Sequence, residues 1–473
     1  APSRAKGYVM RFSHIHLSVS SRSVFLTYRP FAILFVIMLA LLPGLDSSLS
    51  AQNTNATILL SIPESVVDAH PYRIVSAPDG ELGYVSLAGD VAPFGEAVED
   101  YANNLVQEIH LHTLEKVRVF QVGFFPTEMV IVGQQLFVTC SNDSSLYSIN
   151  LDNSNVTSFP MTDSSGADVS FLSGLVEGPT GEIYVGSNGG NFDGSDENVI
   201  VFDPVSQSIV GRLNVPGAIT RFSWHNNQLV IPVGYPDNDF SAAPVLRWID
   251  PVTGVVTAEL PIAVDTSDFP MPSDITPLGD GTAALTVIGG SNEVFHIDLE
   301  TQTLLGNWAL PGTDYLQSRV LPLNDSSLVV ADFIDGVLHQ IDLATGDIET
   351  FASGLQLPVD IHLRNGRLFV AEQALEQVSV FVVPGGFIRG DVNNDQMIDI
   401  SDPIMSLGYL FLGGDLACQD AADFNDDESL DLSDAISLLE FLFSTGNSPA
   451  YPYPLGGGDL GGDGLDCEQG LDF

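Results

Sequence analysis

The chain has 473 residues, room for two or three domains and a sizeable core. Its 15 Lys+Arg stand against 61 Asp+Glu, a formal net charge of -46 at pH 7. That balance excludes nucleic acid and anionic membrane surfaces as ready partners, because both would repel it. With 45% hydrophobic residues, 44 glycines and 28 prolines, the composition predicts an ordered chain of many strands and turns.

The N-terminal stretch has the grammar of an export signal. Arg22 and Arg29 precede the apolar run at 31–45, and small polar residues lead to Ser50-Ala51-Gln52, with cleavage expected near Ala51 or Gln52. A retained anchor is the competing reading, but the run is shorter than the ~20 residues of a comfortable span. Residues 1–52 are therefore expected to be a leader, with no membrane association after cleavage.

From residue 53 to 386 the chain repeats a pattern without repeating its residues. A short apolar strand recurs as LGYVS (82–86), QLFVT (135–139), EIYVG (182–186), QLVIP (228–232), AALTV (283–287), SLVVA (327–331) and RLFVA (367–371). These seven copies lie 40 to 55 residues apart, the period of propeller blades. After most of them an alternating strand ends at Asp and a turn, as in WIDPVTG (248–254) and QIDLATG (340–346). There the Asp is expected to accept from the following amides while Gly takes the positive φ. Inner strands are announced by PSDITPL (272–278) and PVDIHL (358–363). The last blade lacks a fourth strand, and NATILLSI (55–62) is an orphan strand before the first, so this strand is expected to close the ring.

The repeats resemble the seven-bladed propellers of the NHL and YVTN-type surface and quinoprotein-like families. Strand alternation would gather Asp193, Asp196, Asp237, Asp239, Asp265 and Asp268 on one rim. A cation or a carbohydrate ligand is conceivable there; the plainer account is acidic loops solvated in a very acidic chain. His225, His296, His339 and His362 lie in different blades, and His110 with His112 forms HLH, expected on one face of a strand. Lactonase-like and streptogramin-lyase-like propellers carry metal or acid-base residues on the central face, so the resemblance keeps an enzyme open. No G-x-S-x-G, P-loop or dinucleotide fingerprint is present.

Near the C-terminus one 12-residue acidic pattern appears twice at a 32-residue offset, DVNNDQMIDISD (391–402) and DFNDDESLDLSD (423–434). Oxygen ligands stand at positions 1, 3, 5, 9 and 12: Asp391, Asn393, Asp395, Asp399 and Asp402, then Asp423, Asn425, Asp427, Asp431 and Asp434. Backbone carbonyls of Met397 and Ser429 at position 7 would complete each set. Hard oxygens at alternating positions are calcium-loop chemistry, with Ile398 and Leu430 pointing inward to pair the loops. After each loop comes a helix pattern, whose stripes Ile404, Leu407, Phe411 and Ile436, Leu439, Phe443 are expected to pack on each other.

The stretch FIRGDVNNDQMIDISDPIMSLGYLFLGG...CQDAADFNDDESLDLSDAISLLEFLFSTG is similar to a dockerin type I-like tandem, of the version common in secreted planctomycete proteins. The resemblance covers 387–473 and implies two calcium ions, an EF-hand-like ligand set and a cohesin-like or other cell-surface protein partner. It also carries an association with polysaccharide breakdown. Two features depart from the family pattern: Gln396 and Glu428 stand where such loops usually have Gly, and positions 10 and 11 read Ile400-Ser401 and Leu432-Ser433. A bridge between Cys418 and Cys467 would staple the glycine-rich tail to the module, while Cys140 reads as a buried single thiol.

The expected architecture is thus an all-β seven-bladed propeller followed by a small all-α calcium-binding domain. The expected function is a secreted, non-catalytic binding protein tethered through its C-terminal domain. A polysaccharide- or lactone-acting hydrolase or lyase, and a structural envelope protein, are the alternatives.

Overall fold

A computed structural model describes residues 58–61, 69–88, 104–187, 197–383 and 386–453, apart from a few positions inside them, and isolated tail residues 457, 465 and 467. The leader, Asp193, Asp196 and Gln396 lie outside the described residues. Among the described residues no helix is long and apolar enough to cross a membrane.

Seven antiparallel sheets succeed one another along the chain, each opening on an inner strand and ending on an outer one. Position within the blade explains the sequence of each strand. The second strands, such as Ile183–Ser187 and Ser327–Asp332, are buried along their whole length and read as continuous apolar runs. Fourth strands such as Lys116–Gln121 and Val256–Pro261 lie on the outside and are mostly exposed. All seven recurring motifs of the sequence fall on second strands. Neighbouring blades share their cores; Phe137 and Leu146 of the second blade pack with Leu172, Ile183 and Phe202 of the third.

The strand Ile58–Ser61 pairs antiparallel with Gln377–Val382, Ile58 opposite Val380, supplying the fourth strand of the seventh blade. The turns between third and fourth strands follow their expected chemistry. Asp250 Oδ1 accepts from the amides of Val252 at 2.9 Å and Thr253 at 2.8 Å, and Gly254 has φ of 70°. Asp342 and Gly346 repeat the arrangement.

Beyond the ring, two loop-and-helix units follow, with helices α1 (Ser401–Leu412), α2 (Gln419–Ala422) and α3 (Leu432–Phe443). Val392, Ala422, Phe424 and Leu438 form their core, with Ile398 and Leu430 packed against it. The tail returns to this unit: Phe387 bridges Gly457, Arg389 N donates to Pro452 O at 2.7 Å, and Cys418 is disulfide-bonded to Cys467. The apolar helix stripes do not take their expected place. Ile404, Phe411, Ile436 and Phe443 do not form the helix–helix seam but are 61%, 65%, 47% and 69% exposed. On α3 another face turns inward, where Leu438, Phe441 and Leu442 pack with Val392 and Phe424 of the loops, while the buried positions of α1 are Asp402, Pro403 and Ser406.

Candidate functional site

Each inner strand carries a local irregularity near its start, and the residues there decide what the channel is. Register shifts fall at Pro71/Arg73, Pro126/Met129, Leu172/Gly174, Pro272/Asp274, Gln317/Arg319 and Pro358/Asp360. In the fourth blade the inner strand breaks outright between Ala218–Ile219 and Ser223–His225. Bulges re-aim side chains. The hydroxyl at four of these sites donates to a carbonyl of the next blade: Thr127 to Leu172, Ser173 to Ile219, Thr220 to Pro272 and Ser318 to Pro358, at 2.6 to 3.0 Å.

The following residue is aimed at the channel. In blade order these residues are Arg73, Glu128, Gly174, Arg221, Asp274, Arg319 and Asp360, an alternation of charge with one neutral member. A ring of seven cannot alternate without a break, and Gly174 is the break. A Cβ there would stand 2.4 Å from both Phe222 Cε1 and Thr220 O, so no side chain fits. Glu128 spans the gap, its carboxylate 3.1 Å from Arg73 Nε and 2.7 Å from Arg221 Nε. Asp274 pairs with Arg319 at 2.7 Å and Asp360 with Arg73 at 2.7 Å. Their second oxygens accept the backbone amides of Val320 and Ile74 in the next blade. Arg221 also lies 3.9 Å from Asp274 and 3.8 Å from Asp360, bolting the ring across its middle.

The electrostatics follow from burial and pairing. Burial would raise the carboxyl of Asp360, but Arg73, Arg319 and Arg221 hold it below its usual value. Arg319 is lowered to about 10 by burial and the neighbouring guanidiniums. His362, two residues along from Asp360, is lowered to about 4, mainly by burial, and stays neutral. The three acids of the ring are therefore engaged by the three arginines, and Asp274 and Asp360 also by the backbone.

The other sequence candidates disperse. Asp237 pairs with Arg247 at 3.2 Å, and Asp239 and Asp265 accept from Ser241 and Ser267 in their own turns. His296 stacks on Trp308, His225 meets Glu300, and His339 is buried in a third place. HLH does not lie on a strand face as expected: His110 ends a strand and His112 lies in the turn beyond it, with buried Leu111 between. Among the described residues the one close His/Cys/Asp/Glu group is Cys418, Asp420 and Cys467, in which the cysteines form the disulfide.

The C-terminal loops are organised differently. Asp402, fully buried, accepts from the amides of Val392 and Asn393 with Oδ1 and of Asp399 with Oδ2. Asp391 accepts from Asp395 N, and Asp395 from Met397 N. The second loop repeats this: Asp434 accepts from Asn425 and Asp431, and Asp423 from Asp427 and Glu428. Asn393 and Asn425 reach Asp395 and Asp427, while Asp399 and Asp431 hold Ser401 and Ser433 at the helix starts. Each loop is thus curled on its own amides with its side-chain oxygens along one segment.

Among the described residues no Lys or Arg pairs with Asp402 or Asp434. Burial pushes both carboxyls up, Asp434 to about 6, with the Asp423 carboxyl against it. Buried acids crowded on one another call for a proton or a cation. The donor set is all oxygen, which fits a hard divalent ion such as calcium. The residues that would hold it are Asp391, Asn393, Asp395, Met397 O, Asp399 and Asp402, and Asp423, Asn425, Asp427, Ser429 O, Asp431 and Asp434.

Sequence reasoning missed the charged ring. The signal was there in the Asp of PSDI and PVDI and in the Ser/Thr-then-charge pairs Thr127-Glu128, Thr220-Arg221 and Ser318-Arg319.

No family model matches the chain, and no curated protein matches its sequence. Solved structures do match in fold. A streptogramin B lyase structure is 15% identical with a TM-score of 0.53, covering 68% of this chain and 96% of that one. The Kuenenia stuttgartiensis hydrazine synthase is 14% identical with a TM-score of 0.54, covering 68% and 98%. The WD40 domain of Neurospora crassa Pan2 is 12% identical with a TM-score of 0.50, covering 68% and 92%. The chain is a seven-bladed β-propeller.

Proposed function

We propose that this chain is a secreted calcium-binding protein whose propeller is a binding module, attached through a dockerin-like C-terminal domain to a protein partner or cell-surface assembly. The observation that carries the reading is the pair of matched loops, each closing its own amides on a buried carboxylate, Asp402 or Asp434, that no Lys or Arg among the described residues pairs with. Calcium would bring the charge that organises each loop, and folding of this domain would be linked to it. The duplicated exposed residues Ile404/Ile436 and Phe411/Phe443 support a protein partner, since they repeat at matched positions of two helices and offer it apolar side chains. Export is supported by the leader pattern and the Cys418–Cys467 disulfide. A hydrolase or lyase in the channel is less well supported, because the convergent acids there are engaged by Arg73, Arg221 and Arg319.

Calorimetric titration of the full chain with calcium, followed by chelation, tests this. Two ions per chain are expected. Chelation should render 387–473 protease-sensitive and change its near-UV signal while the propeller persists. No uptake, or a C-terminal domain indifferent to chelation, overturns the reading.

A further inference from the structure

The two loops share positions 1, 3, 5, 9 and 12 at an offset of 32, but only the first is preceded by a buried cation. Arg389 precedes the first loop by two residues and is 1% exposed. Its side chain serves the second loop. Nη1 donates to Asp420 O at 2.9 Å and Asp423 O at 2.5 Å, and Nη2 pairs with Asp426 Oδ1 at 2.7 Å. Asp423 is position 1 of the second loop and Asp426 position 4. The guanidinium stands 5.3 Å over the Phe387 ring, which fixes its plane from behind.

The symmetry-related position holds Ala421, so no guanidinium stands there. The charge count breaks in the same direction. The first loop has four acids and Asn394 at position 4; the second has six, including Asp426. Of the two extra carboxylates, Asp426 and Glu428, the first is the one that the guanidinium pairs with. The backbone ties are short as well: Gly390, between Arg389 and Asp391, donates its amide to Ala421 O at 2.8 Å.

The geometry points to Arg389 as the coupling residue between two calcium loops. This rests on the calcium reading above and adds an order to it. An ion in the first loop fixes Asp391 and hence the backbone at Arg389. That in turn holds the fork on the Asp423 carbonyl and preforms the second loop. The fork must reach two carbonyls and a carboxylate at once, a planar geometry that lysine lacks. Arg389 is a positioning residue and touches neither ion.

The test is a coupling cycle on the full chain, with calcium alone as the probe and calorimetry as the readout. Disabling the first loop by Asp402→Ala should weaken the second by about tenfold or more, within the usual range of coupling. With Arg389→Met already in place, the same Asp402→Ala change should weaken it by less than about threefold. Arg389→Lys should behave like Arg389→Met in this cycle, and Asp426→Asn, at an exposed position, should lose part of the coupling without endangering the fold. A wild-type chain that takes up no calcium would defeat the underlying reading. A wild-type chain with two ions and the same coupling factor in the Arg389 and Asp426 variants would defeat this inference alone.

Discussion

The channel and the C-terminal loops bury carboxylates equally deeply and treat them in opposite ways. Asp274 and Asp360 are fully buried, and so are Asp402 and Asp434. In the channel each acid faces an arginine from a neighbouring blade, and Asp360 is held in its charged form. In the loops Asp402 and Asp434 face amides and neighbouring acids, and burial pushes both carboxyls up. A site that supplies its own counter-charge is complete and structural. A carboxylate buried without one carries a cost that a cation from solution would relieve.

The largest effect should come from opening the complete site. Arg221 contacts three acids, so Arg221→Ala leaves Glu128, Asp274 and Asp360 with two arginines between them. Removing one partner of a buried ion pair costs about 3–5 kcal/mol, so the melting temperature of the propeller should fall sharply. A shift within about 0.5 kcal/mol, the range of an ordinary surface substitution, would show that the ring contributes little.

Acid should then separate the two regions. Asp434, raised to about 6, stabilises the calcium-free domain through its proton. That contribution is full below the ordinary value of 3.8 and is lost as pH rises through about 6. Asp360 is depressed, so its contribution is present above its ordinary value of 3.8 and is lost only as pH falls below it. Between pH 4 and 6.5 the chelated C-terminal domain should therefore melt lower as pH rises, while the propeller holds steady. Calcium should reverse the trend for the domain, since ion and proton compete for the same carboxyls. Melting followed by protease sensitivity in each region, with and without chelator, reads both at once. A chelated domain that gains stability over that range would contradict the assignment of Asp434.

The same contrast explains what the sequence could show. The blades were legible because a second strand buried on both faces is a local run such as SLVVA, visible within five residues. The repeated Asp pattern stands out because all its oxygens lie within 12 residues. The ring was not, because its six charges come from six blades and change sign from one to the next, so the repeats hide their common position. The helix stripes were half legible. Period 3.6 finds an apolar face on α1 and α3, but which face of α3 is covered depends on Val392 and Phe424, which belong to other elements.

The smallest prediction concerns position 6 of the second loop. Glu428 has φ of 67°, the left-handed region, where the usual glycine of such loops costs nothing and a side chain costs about 1–2 kcal/mol. Asn394 and Asp426, at position 4, have φ of 59°, but residues of their kind enter that region more easily. Glu428→Gly should relieve the strain and lose part of the gain to backbone entropy, leaving a net stabilisation of about 0.5–1 kcal/mol. The Glu428 amide, which donates to Asp423 Oδ2 at 3.1 Å, is kept by the substitution. Loop geometry should therefore survive, and the gain should show in the calcium-loaded melt with the number of bound ions unchanged. The channel is the control, since no change there should follow a substitution in the loop. A loaded domain that becomes less stable would mean that the Glu428 carboxylate contributes more through its charge than its backbone costs in strain.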